Sequence, residues 1–281
     1  MRKPFPSRRH VMSLIGGVAL ASRTPALAET CVALPEETEG PFPADGSRRG
    51  PPGPNPGMQA SNAESPNALK LPFIERRDIR TSGNTGAMAA GVPLTLRIRL
   101  TGAGCRPLAD HAVYIWNCTR DGQYSLYALP KEDFLRGIQP TDKDGVAEFL
   151  TIIPGCYDGR MPHIHVEVYP SPDKARSADD KIATTQFAFD RALCEQIYRE
   201  VEGYEASTDN LARVSFDTDM VFGDNTAAER EAQTVKLTGN VREGFVGTVT
   251  LALGDGPRQA SRMGPPPGGF GGSRPPFPPR G

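Results

Sequence analysis

The segment Val92–Leu100 is the feature that most limits the fold of this chain of 281 residues. Its sequence, VPLTLRIRL, alternates, so that Leu94, Leu96, Ile98 and Leu100 point to one face of a β-strand. Alternation of this kind indicates a half-buried strand. Such a strand has to bury its apolar face against a second layer of structure.

Further strand patterns follow at short intervals. They cover residues 112–117, 146–153, 163–169, 183–189, 233–238 and 247–253. Turn residues separate most of them, as at 142–145. One helix is predicted after Asp190, a suitable N-cap, with Leu193, Ile197 and Val201 on one face. The pattern predicts an all-β fold, an antiparallel β-sandwich with one short helix and long loops.

The first 28 residues predict export. They contain the pair Arg8-Arg9, a short apolar run and Ala26-Leu-Ala28, which together are typical of a twin-arginine signal with its cleavage site. The apolar run is shorter than the roughly 20 residues of a membrane helix. We therefore expect a soluble periplasmic or extracellular protein without a membrane span. Since this route carries folded proteins, often with a cofactor, it also favours a bound metal.

Composition divides the rest of the chain. Without the signal, the chain has 27 basic and 33 acidic residues. This composition does not predict a basic surface that binds nucleic acid. Cys31, Cys105, Cys118, Cys156 and Cys194 allow at most two internal disulfides, and the sequence leaves their pairing open. The predicted parts are an N-terminal segment (29–69) whose Pro/Gly-rich insertion (43–69) is interpreted as a mobile loop, the sandwich domain (70–255), and a disordered Pro/Gly-rich tail (256–281).

Two of the four histidines lie together in His163-Ile-His165, at the start of a predicted strand. On a strand, residues i and i+2 share a face, so the two imidazoles lie side by side while Ile164 faces the opposite layer. Two adjacent imidazoles are half of a metal site. The alternative is a pair of polar residues on a solvated strand face. The preceding loop brings Tyr157 and Arg160 to the same end of the strand, which favours the metal site.

Two tyrosines are candidates for the remaining ligands. Tyr157 lies in that loop, and Tyr124 follows the strand at 112–117 after an Asp-Gly turn. Most tyrosines are structural, with a packed ring and a hydrogen-bonded hydroxyl. As a phenolate, however, tyrosine is a hard anionic donor that suits Fe³⁺. Because its free pKa is near 10, only a strong Lewis acid keeps it ionised at neutral pH.

These residues resemble, in order, the intradiol ring-cleavage dioxygenases, the group of catechol and protocatechuate 3,4-dioxygenases, and above all their shorter exported relatives with twin-arginine signals. The resemblance extends over about residues 31–253. The matching segments are Glu37-Thr-Glu-Gly-Pro-Phe42, Arg77-Asp-Ile79, Ile115-Trp116, Gly122-Gln-Tyr-Ser125, 134–142, 151–157, Arg160, His163-Ile-His165 and Thr185-Gln186.

The resemblance implies a non-haem Fe³⁺ ion held by four side chains, Tyr124, Tyr157, His163 and His165. It implies a catechol-type substrate that binds through both oxygens and is cleaved by O₂ between its hydroxyl-bearing carbons to a muconate-type diacid. Arg160 would stabilise negative charge on the substrate, and Gln186 would support Arg160 and orient the substrate.

Departures from the family leave two questions open. The spacing from Tyr157 to His163 is shorter than in the well-known ring-cleaving enzymes, the helical dimerisation segment of catechol-type members is absent, and the insertion at 43–69 interrupts the substrate entrance. The particular catechol and the oligomeric state therefore stay undetermined.

Two alternative functions also remain. In the first, Glu167 joins the histidines in a 2-His-1-carboxylate Fe²⁺ site of a cupin-like oxygenase. In the second, the sandwich is a secreted binding module with a vestigial metal site.

Overall fold

The computed structural model describes Met1, residues 31–47 and residues 65–254. Apart from Met1, the predicted export signal lies outside the described residues, as do residues 48–64 of the insertion and the predicted tail. Within the described part of the chain, no helix has the length and apolar character needed to cross a membrane.

In the residues that the structure describes, eight strands form two four-stranded sheets. The strands are β1 Pro93–Thr101, β2 Ala112–Trp116, β3 Arg136–Pro140, β4 Val146–Ile152, β5 His163–Tyr169, β6 Ala183–Ala188, β7 Lys236–Asn240 and β8 Gly244–Ala252. The first sheet has the order β4-β1-β8-β7 and the second the order β3-β2-β5-β6. The helices are α1 Arg191–Glu200, α2 Glu205–Leu211 and α3 Ala227–Gln233, with 3₁₀ turns at Ala68–Lys70, Ala103–Cys105, Pro172–Lys174 and Ala178–Asp180.

The main core lies between the two sheets, which confirms the predicted sandwich. Leu96 and Ile98 of β1 are fully buried there, in one cluster with Ile164 and Val166 of β5. Packing of this kind removes apolar surface from water, at about 25 cal/mol per Å². Because Ile164 faces this core, its neighbours His163 and His165 point to the other face of the second sheet, which we call the outer face.

Helix α1 begins where the sequence predicts it. The side chain of Asp190 accepts a hydrogen bond from the backbone N–H of Leu193 at 2.8 Å, which satisfies one of the free donors at the helix start. Helices α2 and α3, of seven residues each, were not predicted. Their short apolar pattern does not stand out against the loops around them.

Strand β3 and the direction of β8 also differ from the prediction. Strand β3, Arg-Gly-Ile-Gln-Pro, has no apolar alternation, and its pairing with β2 decides its conformation. Strand β8 pairs with β1 in parallel, so the sandwich is not wholly antiparallel. Only strands joined by a short turn must run antiparallel, and β1 and β8 are separated by most of the domain.

The two described ends of the insertion, 43–47 and 65–69, pack onto the sandwich, where the sequence predicts a mobile loop. Ala44, Ala68 and Leu69 are buried, and Asp45 pairs with Asn67 in an antiparallel bridge. These few apolar side chains are enough to hold the two ends in place, because they pack into the cluster around Tyr114 and Trp116 on the outer face. That face is therefore covered, and every residue of β5 is buried.

One disulfide, Cys31–Cys105, joins the N-terminal segment to the connection between β1 and β2. Cys118, Cys156 and Cys194 are free and buried. The disulfide holds the start of the segment that crosses the outer face. The same segment is also bonded to β6, where Glu37 donates its backbone N–H to the carbonyl of Thr184 at 2.9 Å.

Candidate metal centre

Register in the second sheet places four side chains in one row across the outer face. Arg136 of β3 is opposite Trp116 of β2, which is opposite His165 of β5, which is opposite Gln186 of β6. The ring of His165 stacks on the indole of Trp116 with centroids 4.7 Å apart and an angle of 2°. This contact fixes the plane of the His165 ring, so its Nε2 atom has a set direction.

Two loops bring the tyrosines to the end of this row. The Tyr157 Oη atom lies 3.2 Å from His163 Nε2, and Tyr124 Oη lies 3.4 Å from the same nitrogen. The Nε2 atoms of His163 and His165 are 3.1 Å apart. The loops approach closely at Gly122, which has φ +86° and where a Cβ would lie 3.1 Å from the Tyr157 Cβ. Four donor atoms therefore converge on one buried point.

Hydrogen bonding and burial set the protonation of these side chains. The Nδ1 atom of His163 lies 2.6 Å from the carbonyl oxygen of Met161, so Nδ1 carries the proton and Nε2 keeps its lone pair. Burial lowers the pKa of His163 and His165 well below the usual value for imidazole. Both rings are therefore neutral at physiological pH. Burial raises the pKa of the Tyr124 and Tyr157 phenols, so these ionise only beside a cation.

The four atoms fit a single metal ion. Metal–nitrogen bonds of about 2.0–2.1 Å place neighbouring ligand atoms roughly 2.9–3.4 Å apart in tetrahedral to octahedral shells. The contacts of 3.1, 3.2 and 3.4 Å lie within that range. Two neutral imidazoles and two phenols that become anions on binding would supply two negative charges, which suits a trivalent ion of hard character.

Arg160 and Gln186 lie beside this point, as the sequence predicts. The Arg160 Nη2 atom donates to the Gln186 side-chain oxygen at 2.6 Å, and Nη1 donates to Tyr157 Oη at 3.5 Å. Gln186 in turn donates from Nε2 to the Thr38 carbonyl at 2.8 Å. Arg160 is only 6% exposed. The structure therefore brings all six predicted site residues together.

Glu167 does not join the histidines, which contradicts the 2-His-1-carboxylate hypothesis. One of its oxygens accepts from Lys181 Nζ at 2.8 Å and the other from the Tyr169 hydroxyl at 2.7 Å. In the part of the chain that the structure describes, no group of three or more His, Cys, Asp or Glu side chains could hold a metal ion. The reason is that Lys181 and the Tyr169 hydroxyl engage both oxygens of the Glu167 carboxylate.

Several site residues were not singled out from the sequence. Asp219 accepts from Arg160 Nε through both carboxylate oxygens, at 3.1 and 3.0 Å. Phe42 stacks on Tyr124 with centroids 4.7 Å apart. Gly40 has φ +67°, and a Cβ there would lie 3.2 Å from the His165 ring. Gly40 and Phe42 fall in the segment 37–42, whose resemblance to the family was a usable signal, whereas Asp219 lies in no recognisable motif.

Fold and site together define a β-sandwich protein with a buried tyrosine–histidine centre. A family model described as Dioxygenase matches residues 64–238, which is more than half of the chain. The chain belongs to this family, the intradiol ring-cleavage dioxygenases, and is a ring-cleaving dioxygenase. The resemblance predicted from the sequence is thus confirmed for the family, while its twin-arginine subgroup stays a prediction.

Solved structures show the same fold. An intradiol ring-cleavage dioxygenase from Tetranychus urticae has a TM-score of 0.56 and 22% identity, over 82% of this chain and 98% of that one. Another dioxygenase structure has a TM-score of 0.57 and 21% identity, with the same coverage of both chains. No curated protein matches this chain by sequence.

Proposed function

We propose that this enzyme is a non-haem ferric dioxygenase. It cleaves a catechol-type ring between the two hydroxyl-bearing carbons and forms a muconate-type diacid. The observation that carries the proposal is that two phenol oxygens and the His165 Nε2 atom lie within 3.1 to 3.4 Å of His163 Nε2 in a buried site. Phenolate ligands favour Fe³⁺ over the softer divalent ions.

The four proposed ligands differ in how exposed they are, and this difference suggests their roles. When bound, a ferric ion would act as a Lewis acid that keeps the phenols ionised and draws electron density from a catecholate, which favours attack by O₂ on a ring carbon. Tyr157 is half-buried, whereas Tyr124, His163 and His165 are buried. Tyr157 is therefore the most exposed of the four residues, and we propose that its oxygen is the ligand atom that an incoming substrate displaces. We assign to it the proton that the second substrate hydroxyl loses.

Arg160 supplies fixed positive charge next to that atom. Its Nη1 lies 3.5 Å from Tyr157 Oη, and Gln186 holds Nη2 at 2.6 Å. A guanidinium that is already oriented and shielded from water stabilises negative charge on the substrate without reorganisation. The binding-module alternative gives no role to this arrangement, and the chain belongs to a family of enzymes.

The proposal predicts oxygen uptake with simple catechols. The purified, iron-loaded protein should consume one O₂ for each catechol and give a diacid cleaved between the hydroxyl-bearing carbons. An oxygen electrode with a panel of substituted catechols measures the rate, and mass spectrometry identifies the product. Hydroquinone, whose hydroxyls are not adjacent, is the control and should give no uptake. A protein that holds iron but oxidises no catechol would contradict the proposed function and favour the vestigial module.

We also propose that the enzyme is exported by the twin-arginine route. The pair Arg8-Arg9 motivates this proposal. The Cys31–Cys105 disulfide supports an oxidising compartment, where such bonds persist. Changing both Arg8→Lys and Arg9→Lys should leave folded, iron-loaded protein in the cytoplasm, as measured by fractionation and immunoblot. Undiminished export of this variant would mean that the segment works as an ordinary secretory signal.

A further inference from the structure

Arg160 has a third partner, which accepts from the Nε atom of its guanidinium. The carboxylate of Asp219 receives the Nε hydrogen through both oxygens, at 3.0 and 3.1 Å. The Asp219 side chain is fully buried and that of Arg160 is 7% exposed. Removing one partner of a buried ion pair leaves an uncompensated charge, so neither side chain is free to move without the other.

The Asp219 carboxylate is itself held by backbone donors from two loops. The N–H of Met161, next to Arg160, donates at 2.6 Å, and those of Val221 and Phe222 donate at 2.8 and 3.1 Å. The ring of Phe222 lies 5.8 Å from the Arg160 Cζ atom. One carboxylate therefore links the loop before β5, which carries the tyrosine and the arginine, to the loop between α2 and α3.

These contacts leave one nitrogen of the guanidinium to act on the substrate. Asp219 occupies Nε and Gln186 occupies Nη2, so Nη1 is the corner that faces Tyr157 Oη at 3.5 Å. A planar guanidinium whose Nε and Nη2 atoms are both hydrogen-bonded cannot rotate its Nη1 atom away from Tyr157. We propose that Asp219 is a positioning residue, which acts through Arg160 to aim Nη1 at the charge that forms on the substrate. The inference rests on the proposed function.

A merely structural role would look different in kinetics. If Asp219 only joined two loops, its loss would loosen the ligand loop, reduce the iron content and weaken the catechol complex. If it acts through Arg160, its loss should slow the chemical step and leave the metal and the bound catechol in place. It should also have no effect once Arg160 is gone, because residues that act as a unit are not additive.

The test is a double-mutant cycle on the iron-loaded enzyme. Asp219→Asn keeps the shape and one acceptor but removes the charge. We expect its iron content and visible spectrum to match the wild type, its KM for catechol to change by less than about threefold, and its kcat to fall roughly ten- to hundredfold. In the Arg160→Ala background, Asp219→Asn should change kcat by less than about twofold.

Two further variants complete the test. Asp217→Asn is the control, because Asp217 lies in the same loop, is exposed and pairs with Arg230; it should behave as wild type. Asp219→Glu keeps the charge, so its kcat should lie between those of the wild type and Asp219→Asn. If Asp219→Asn does not fold, Asp219→Glu takes its place in the double-mutant cycle.

Three results would overturn the inference while the proposed function stands: an unchanged kcat in Asp219→Asn, loss of iron in that variant, or losses that multiply in the double variant. A wild-type enzyme that cleaves no catechol would instead remove the proposed function, and the inference with it.

Discussion

Replacing Tyr157 by phenylalanine is expected to give a folded protein that has lost most of its iron and its visible colour. Phenylalanine keeps the ring that packs edge-on against Tyr124 and His163, with centroids 5.8 and 5.4 Å away. It lacks the oxygen that lies 3.2 Å from His163 Nε2. Ferric ion bound by phenolate absorbs visible light, so loss of this ligand should reduce both the colour and the iron retained after gel filtration, by about tenfold or more.

His165→Ala should have the same effect on iron, because it removes a neutral nitrogen donor from the same point. The matched control is Glu167→Gln, two residues further along β5 and also buried. Glu167 bonds to Lys181 and Tyr169 and does not reach the histidines as a ligand. Its amide variant should keep iron and colour, as measured by metal analysis and absorbance. Loss of iron in Glu167→Gln, together with full retention in Tyr157→Phe, would restore the carboxylate site as the better explanation.

Replacing Arg160 by alanine is expected to slow turnover strongly and leave the metal centre intact. Arg160 contributes no ligand atom, so the variant should keep its iron, its colour and most of the spectral change that catechol induces. Oxygen uptake should fall by on the order of a hundredfold or more, the scale found when one preorganised charge-stabilising donor is lost. Rates are measured with an oxygen electrode at saturating catechol, and the spectra are recorded on the same samples without oxygen.

Arg160→Lys is the informative companion variant. Lysine keeps a positive charge but presents a single ammonium, which cannot bond to Asp219, Gln186 and the substrate side in one plane. Activity should therefore recover little. An alanine variant with the wild-type rate would exclude Arg160 from the mechanism, and a lysine variant with full activity would show that charge alone suffices there.

The sequence by itself determined the class of fold and the candidates for the metal centre. Alternation over Val92–Leu100 follows from the period of a strand, and it persists in the structure as β1. The shared face of His163 and His165 follows from the same period. The N-cap at Asp190 is equally local. Each of these depends on neighbours only a few residues apart, so a single segment contains the whole signal.

Only the tertiary structure decided which distant residues meet. Asp219 is 59 positions from Arg160, and the row of Arg136, Trp116, His165 and Gln186 depends on the register of four strands. The Cys31–Cys105 pairing and the parallel contact of β1 with β8 are of the same kind. No local period specifies such partners, because they are chosen by how two sheets and their loops bury the most apolar surface while most buried polar groups find a partner.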